Sequence, residues 1–374
     1  MALLQKGSFS RRVVIELAIA GICVLISWVT CRLLGPGLVK FTENADKLYY
    51  LRHYYDQHNR DNWYGKRIPE VFFINCHNDD PSDSLVRETI ANVIERVMMM
   101  NPRQVGIDIR FKGHYNIGED RLLEEILHKH KDKIVIARSQ NGDKQNRSFF
   151  DSDSSNFKYG YTNIGDFYTT VSYVEPSFSE ILLSESDLLN QNFKKNKGII
   201  DFSLLNPQPM DLCVFLTEDI DALRPLVSDK IIILGDADDE KDQIFVPFLV
   251  NGEERMPGVY YHLYCINSMK KNGHYFYENE WLSVLLCFIL TIFYSIIAML
   301  LSLIIKSFRR KSLYLAGLFI KPIIMFWVWF KVPIVLMLFT TWFGFVPNLT
   351  LALLSVAGIT FLDNFFEELK SRLI

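Results

Sequence analysis

The chain has 374 residues, of which 49% are hydrophobic, and its formal net charge is −3. These averages conceal an uneven distribution, because residues 35–280 hold 28 basic and 39 acidic side chains, a net charge of −11. Binding to nucleic-acid phosphates requires clustered Lys and Arg, so this acidic middle region excludes nucleic acid as an expected partner. The hydrophobic residues are equally uneven, with one run near the start and several near the end.

The first apolar run covers residues 13–30 and follows the basic pair Arg11 and Arg12. About 18 apolar residues are long enough to cross the hydrocarbon core of a bilayer as a helix. No small-residue cleavage site follows the run, so it predicts an uncleaved transmembrane anchor at 13–34. Basic residues mark the cytoplasmic side of a membrane helix, which places residues 1–12 in the cytoplasm and the next region outside it.

Residues 35–278 alternate short apolar runs with amphipathic stretches, a pattern typical of an α/β domain. The predicted strands are Val71–Cys76, Val105–Ile109, Ile134–Ala137, Lys158–Ile164, Tyr168–Val174, Ile199–Phe202 and Lys230–Leu234. The predicted helices are Leu85–Met100, Glu119–His130, Phe178–Leu183, Asp219–Leu226 and Gly258–Met269. Strands that alternate with helices indicate a mostly parallel central sheet, although Lys158–Ile164 and Tyr168–Val174 are expected to form a hairpin.

The C-terminal region predicts three further transmembrane helices, at residues 281–305, 322–343 and 347–362. A basic segment at 306–321 follows the first of them and indicates a return to the cytoplasm or its interface. Residues 363–374 are expected to form a cytoplasmic stub. The prediction is thus an extracytoplasmic domain flanked by one N-terminal and about three C-terminal membrane helices.

Lys331 lies within the second of these C-terminal helices. An ionisable side chain inside a membrane helix is a candidate functional site. A lysine next to the kink expected at Pro333 can also extend its long side chain toward the interface, and this second interpretation is favoured.

The six cysteines include no CxxC pair and no spacing typical of metal ligands. Cys76, Cys213 and Cys265 lie in the middle domain, where a single disulfide is an alternative to free thiols. Buried free thiols are favoured, because Cys76 and Cys265 lie in apolar segments.

Five short segments of the middle domain have a familiar order and spacing. Residues 101–111 read NPRQVGIDIRF, 159–163 read YGYTN, 229–235 read DKIIILG, 242–247 read DQIFVP and 256–262 read MPGVYYH. Together these segments resemble the type 2 CHASE (CHASE2) domain, although Leu263 stands where that family usually has Ala.

The resemblance covers about residues 47–272 and implies an extracytoplasmic sensory domain without an established catalytic role. It also implies a bacterial inner (plasma) membrane location, with the large domain outside the cytoplasm. Many relatives continue into a kinase, cyclase, phosphodiesterase or peptidase-like domain, whereas this sequence ends at Ile374. The chain is therefore identified as a standalone CHASE2 protein without a cytoplasmic effector domain.

Four residues are candidates for ligand binding, namely Asp108, Asn163, Asp242 and His262. Asp108 lies in an apolar strand, where it contacts either a ligand at the carboxyl end of the sheet or a structural hydrogen-bond donor. The family resemblance indicates Asn163 and Asp242. His262 is either a titrating sensor residue or, as is favoured, a satisfied core histidine.

The acidic stretch 235–242 (GDADDEKD) could supply oxygen ligands to a cation, but its spacing differs from that of an EF-hand. A solvated loop is favoured, so no metal site is predicted. No GxSxG, P-loop or GxGxxG motif occurs, and neither enzymatic activity nor a cofactor is expected.

The expected function is that of a membrane-anchored sensor module, which binds an unknown extracytoplasmic ligand and signals through a separate protein. The alternative is a structural or assembly subunit of an envelope complex that senses no small molecule. Membrane lipid, a separate effector or envelope protein and a second copy of the chain are the expected partners.

Overall fold

A computed structural model describes residues 6–33, 50–52, 54–55, 68–77, 87–111, 116–138, 157–162, 176–195, 198–203, 205, 208–250, 253–307 and 311–359. The chain divides into two compact units. One unit is Arg52–Phe276, and the other combines Met1–Leu51 with Tyr277–Ile374.

The strands are β1 (Val71–Asn75), β2 (Gln104–Asp108), β3 (Ile134–Arg138), β4 (Lys158–Tyr161), β5 (Met210–Asp211), β6 (Ile231–Gly235), β7 (Gln243–Val250) and β8 (Glu253–Pro257). The helices are α1 (Lys6–Leu33), α2 (Arg87–Met99), α3 (Ile117–Lys129), α4 (Phe178–Glu185), α5 (Gln191–Lys195), α6 (Leu212–Thr217), α7 (Ile220–Val227), α8 (Gly258–Met269), α9 (Glu280–Lys306), α10 (Lys311–Phe343) and α11 (Leu349–Ile359).

Six strands of the first unit form one sheet in the order β4-β3-β2-β6-β1-β5, and every neighbouring pair is parallel. Strand β6 (IIILG) is buried along its whole length, as expected for the centre of a parallel sheet covered on both faces. The predicted α/β class with a mostly parallel sheet is therefore confirmed. Strands β7 and β8 form a separate antiparallel hairpin.

Helices cover both faces of the sheet. On one face α2, α3, α6 and α7 share a hydrophobic cluster with alternate strand residues such as Ile232 and Leu234. On the other face lie α4 and α8, and Gly106 of β2 leaves the space that Phe178 and Leu182 of α4 occupy. The alternation of side chains along each strand thus supplies two apolar layers from one short sequence.

One predicted strand assignment needs correction, and another lies partly outside the described residues. Strand β4 joins β3 in parallel, and its predicted hairpin partner Tyr168–Val174 lies outside the described residues. Residues Ile199–Phe202 do not form a strand, since Ile199 makes only an isolated bridge with Phe276. Periodicity reports which side chains are buried but not which strand lies beside them, and this error has that origin.

The second unit contains two long apolar helical segments, Glu280–Ile305 and Phe319–Phe343, each with the length and composition needed to cross a bilayer. The apolar segments Leu17–Cys31 and Leu349–Ile359 are shorter. Helix α10 is continuous across Pro322 and Pro333, so it begins well before the predicted start of the span.

Small residues permit close packing between the helices of this second unit. A side chain at Gly21 of α1 would lie 3.7 Å from Phe288 of α9, and one at Gly358 of α11 would lie 3.6 Å from the Cys23 sulfur. Lys331 of α10 places its ammonium group 5.1 Å from the ring centre of Trp327, one turn earlier. The ring face offers this cation a favourable electrostatic contact within its own helix.

Candidate functional site

The central strands β2, β6 and β1 end in register at one edge of the sheet. Gly235, the last residue of β6, pairs with Asp108 on one side and with Asn75 on the other. Strands β1 and β2 are consecutive in the sequence. In the sheet they are separated by β6, which comes later in the sequence. Open parallel sheets bind ligands outside the carboxyl ends of strands at points where the connections diverge in this way.

Gly235 brings helix α8 close to this edge. A Cβ atom at Gly235 would lie 2.8 Å from Cγ2 of Val259 in the first turn of α8. The missing side chain therefore allows the helix N-terminus to approach the end of the central strand. The first residue of this helix is Gly258.

Asp108 is one of two acidic groups beside the start of α8. Its side chain is only 17% exposed, and its Oδ2 atom lies 3.6 Å from Nε2 of His262. Burial raises the pKa of the Asp108 carboxyl to about 6, and nearby Arg110 opposes part of that rise. A carboxylate here is short of solvation, which makes it a strong acceptor for a cationic or hydrogen-bond-donating ligand.

Asp242 is the second acidic group, and it lies on the short 3₁₀ turn Glu240–Asp242 before β7. A Cβ atom at Gly258 would lie 2.4 Å from its Oδ2 atom, so the carboxyl group rests directly against the first residue of α8. Desolvation of the carboxyl and the negative charge of Asp108 raise the pKa of Asp242 to about 6, while His262 opposes the rise. A helix N-terminus also favours a negative charge at this place.

His262 lies one turn into α8 and is 6% exposed. Its ring meets the ring of Phe178 edge to face, with 5.1 Å between the ring centres. Burial lowers the pKa of His262 to about 4, although the charge of Asp242 opposes that change. The imidazole is therefore neutral at physiological pH and able to exchange hydrogen bonds without carrying charge.

A second polar group lies at the same edge, after β1 and β6. Nδ1 of His77 lies 3.1 Å from Oδ1 of Asp236. The Asn75 side chain donates to Oδ2 of Asp238 over 2.7 Å and accepts the main-chain N–H of Ala237 over 2.9 Å. The acidic stretch predicted as a solvated loop is thus held in part by two residues that precede it by about 160 positions.

The structure brings three of the four predicted site residues together, namely Asp108, Asp242 and His262. Asn163 lies outside the described residues. Asn75 and His77 were not predicted as site residues, although Asn75 is the last residue of β1 and His77 follows that strand. Their position relative to β1 was the available signal, since polar residues at carboxyl ends of parallel strands share one edge.

Two of the three cysteines in the middle domain, Cys76 and Cys265, do not add a reactive group to this edge. Cys76, Cys213 and Cys265 form no disulfide with one another, so the alternative of a disulfide in the middle domain is wrong. Cys76 and Cys265 are buried, and desolvation raises the pKa of the Cys76 thiol to about 12. A thiol with so high a pKa is a poor nucleophile and a poor metal ligand.

The fold and its edge define a parallel α/β domain with polar groups at the carboxyl ends of its central strands, in a chain with long apolar helices. The family model of the CHASE2 domain matches residues 52–305, which is more than half of the chain, and the protein belongs to that family of sensory domains. The family resemblance drawn from the short motifs is thereby confirmed. No curated protein and no solved structure matches the chain.

Proposed function

We propose that this protein is a membrane-anchored extracytoplasmic sensor, which binds a small ligand at the Asp108–Asp242–His262 site and signals through a separate protein. Membership of a sensory domain family supports the sensor class. The observation that carries the proposal is the convergence of the Asp108 and Asp242 carboxyl groups with the buried, neutral His262 at the start of α8. A role without enzymatic turnover belongs to the same proposal.

The chemistry of the site indicates the kind of ligand. Asp108 and Asp242 repel each other when both are ionised, and the mostly buried Asp108 carboxyl is also short of solvation. A ligand that carries an ammonium or several N–H or O–H donors would relieve both effects. We therefore expect a cationic or donor-rich small molecule rather than an anion.

The position of the site along the chain offers a route for the signal. Helix α8 ends at Met269, and the apolar helix α9 begins at Glu280. A ligand that draws Asp242 and His262 together would shift the first turn of α8, and the covalent chain passes from there into α9. A ligand can shift such an equilibrium only by its difference in affinity for the two arrangements.

We propose that the chain crosses the bacterial inner membrane four times, through α1, α9, α10 and α11. The two long apolar segments are supported by their length, and the two shorter segments contact them or each other at Gly21 and Gly358. Large apolar side chains that lie exposed on α10 would contact lipid or the helices of a partner; these are Phe319, Ile323, Phe326, Trp327 and Phe330. Membrane lipid, a separate effector and a second copy of the chain are the proposed partners.

A thermal-shift screen of the full-length protein in mild detergent tests ligand binding. The probes are amino acids, polyamines and amino sugars at millimolar concentration. A ligand at about 100 times its Kd stabilises the native state by about 2.7 kcal/mol, which corresponds to a rise in Tm of roughly 5 to 10 °C for a domain of this size. Asp108→Asn and Asp242→Asn are expected to abolish the rise, whereas Asp221→Asn, an exposed acid on α7, is expected to keep it.

A screen in which no probe raises Tm of the wild type would contradict ligand sensing by this site. The alternative of an envelope assembly subunit predicts that outcome together with a stoichiometric envelope protein that co-purifies in mild detergent. A kinase, cyclase, protease or channel that co-purifies would instead support the sensor.

A further inference from the structure

Three side chains with metal-ligating atoms converge between the ends of β1 and β6. His77 follows β1, and Asp236 and Asp238 follow β6. One ligand atom from each of the three lies within 4.8 Å of the others. We propose that His77, Asp236 and Asp238 bind a divalent transition-metal ion, with Zn²⁺ the preferred occupant.

The main-chain pairing of β1 with β6 fixes the backbone positions from which these three side chains extend. Strands β1 and β6 are paired along their full length, from Val71 opposite Ile231 to Asn75 opposite Gly235. The pairing continues past the strand ends, because the N–H of Cys76 donates to the carbonyl of Gly235 over 2.8 Å. Donor atoms that project from a paired sheet end are already ordered, so a metal ion would meet little conformational cost there.

Hydrogen bonds also orient the two carboxylates. Oδ1 of Asp236 accepts the main-chain N–H groups of Asp238 and Asp239, over 2.8 and 3.1 Å. Oδ2 of Asp238 accepts the Asn75 side chain over 2.7 Å. Partners of this kind aim the ligands of a metal and strengthen its binding.

The charges of the cluster favour a cation. Asp236 and Asp238 lie close enough to repel each other, and the same short stretch carries Asp239 and Glu240. The His77 and Asp236 side chains are 29% and 31% exposed, so an ion has access from solvent. A divalent ion would replace repulsion between carboxylates with two attractive contacts.

The histidine decides the class of metal. Ca²⁺ and Mg²⁺ select sites made of oxygen ligands. Imidazole suits Zn²⁺ and related ions, which combine one or two nitrogen ligands with carboxylates and complete their shell with water. His77 comes from a different strand than the aspartates, so its presence beside them is a feature of the fold and not of an acidic sequence.

This inference goes beyond the proposed function and does not depend on it. The metal cluster uses β1 and β6, whereas the proposed ligand site uses β2, the turn before β7 and α8. Loss of Zn²⁺ binding and loss of the organic ligand are therefore measured with different variants and different probes.

Isothermal titration of the full-length protein in mild detergent tests the proposal. The protein carries an affinity tag without histidines, is stripped with EDTA, and is titrated with ZnCl₂. The wild type is expected to bind one Zn²⁺ per chain. His77→Ala and Asp238→Asn are expected to weaken Kd about tenfold or more, and Asn75→Ala, which removes only the orienting partner, about tenfold. Asp221→Asn removes an exposed acid of α7, which is not part of the cluster, and is expected to leave Kd unchanged.

Circular dichroism of each variant separates loss of a ligand from loss of folding, and Asn75→Ala keeps all three proposed ligands in the sequence. X-ray absorption at the zinc edge is expected to show nitrogen and oxygen neighbours. The proposal is overturned if the wild type shows no saturable Zn²⁺ binding, if His77→Ala and Asp238→Asn bind like the wild type, or if the edge spectrum shows sulfur.

Discussion

At the scale of the residue, Asp108 illustrates how burial sets the behaviour of a carboxyl group. It ends a strand whose other residues are buried, and desolvation outweighs the attraction of nearby Arg110, so its pKa rises to about 6. In an unfolded chain an aspartate has a pKa of about 3.9. Asp108 therefore binds a proton more tightly in the folded domain than in the unfolded chain. This difference in pKa makes the free energy of unfolding depend on pH.

We predict that Asp108→Asn changes the pH dependence of stability. The contribution of the raised pKa is complete below about pH 4 and is lost as pH rises through about 6. The wild type should therefore lose about 2 kcal/mol relative to Asp108→Asn between pH 4.5 and pH 7.5. Chemical unfolding of both proteins at these two pH values measures the difference.

Asp221→Asn is the control for this measurement, because Asp221 is 83% exposed. The difference in free energy of unfolding between this variant and the wild type should be the same at both pH values. The negative charge of Asp108 also raises the pKa of Asp242, so Asp108→Asn lowers the pKa of Asp242 and changes the pH dependence of stability in the same direction. The contribution of His262 remains in both proteins. The prediction would be contradicted if the difference in free energy of unfolding between Asp108→Asn and the wild type were the same at both pH values.

At the scale of the element, the contact of α4 with the sheet depends on two glycines. A Cβ atom at Gly160 of β4 would lie 2.3 Å from Cα of Phe178, which is main chain. A Cβ atom at Gly106 of β2 would lie 2.8 Å from the side-chain ends of Phe178 and Leu182. Side-chain ends can move aside and main chain cannot, so the two positions differ in tolerance.

We predict that Gly160→Ala destabilises the domain by about 2 to 3 kcal/mol and Gly106→Ala by about 1 kcal/mol, since overpacking at the first site must displace α4 itself. Urea unfolding of the full-length protein measures both values. Gly118→Ala is the matched control, because its Cβ atom would meet only Asn116 Oδ1, at 3.5 Å, and alanine suits a helix. Equal losses at Gly160 and Gly106 would refute this account of the packing.

At the scale of the whole molecule, the basic residues beside the apolar helices indicate how the chain is oriented in the membrane. Arg11 and Arg12 precede the apolar part of α1, and Lys306 ends α9. The positive-inside rule favours a cytoplasmic position for both. This orientation would place the domain at Arg52–Phe276 outside the cytoplasm, as the proposed function requires.

We predict that a membrane-impermeant maleimide labels Cys213 in intact spheroplasts, because Cys213 is exposed on α6 of the outer domain while Cys76 and Cys265 are buried. Cys213→Ser should lose this labelling. Ser307→Cys in the Cys213→Ser background places an exposed thiol after α9 and should react only after lysis. The reverse pattern would place the domain in the cytoplasm and exclude extracytoplasmic sensing.

Much of the fold could be predicted from local sequence. The apolar runs that became β1, β2, β3 and β6 were each recognised within a residue or two, because strands buried on both faces read as continuous apolar segments. The hairpin of β7 and β8 was not recognised. The signal was available, because Asn251-Gly252 stands between the two strands in the sequence and is a dipeptide typical of two-residue hairpin turns.

The sequence by itself determined the α/β class, the two long apolar helices, the family and the unusual placement of Asp108 in an apolar strand. Each of these depends on composition or on contacts with near neighbours, which periodicity records. Only the tertiary structure decided that β6 lies between β2 and β1, and hence that Asp108 meets Asp242 and His262 while His77 meets Asp236 and Asp238. These groups are brought together by strand order, which arises from long-range contacts that no local segment encodes.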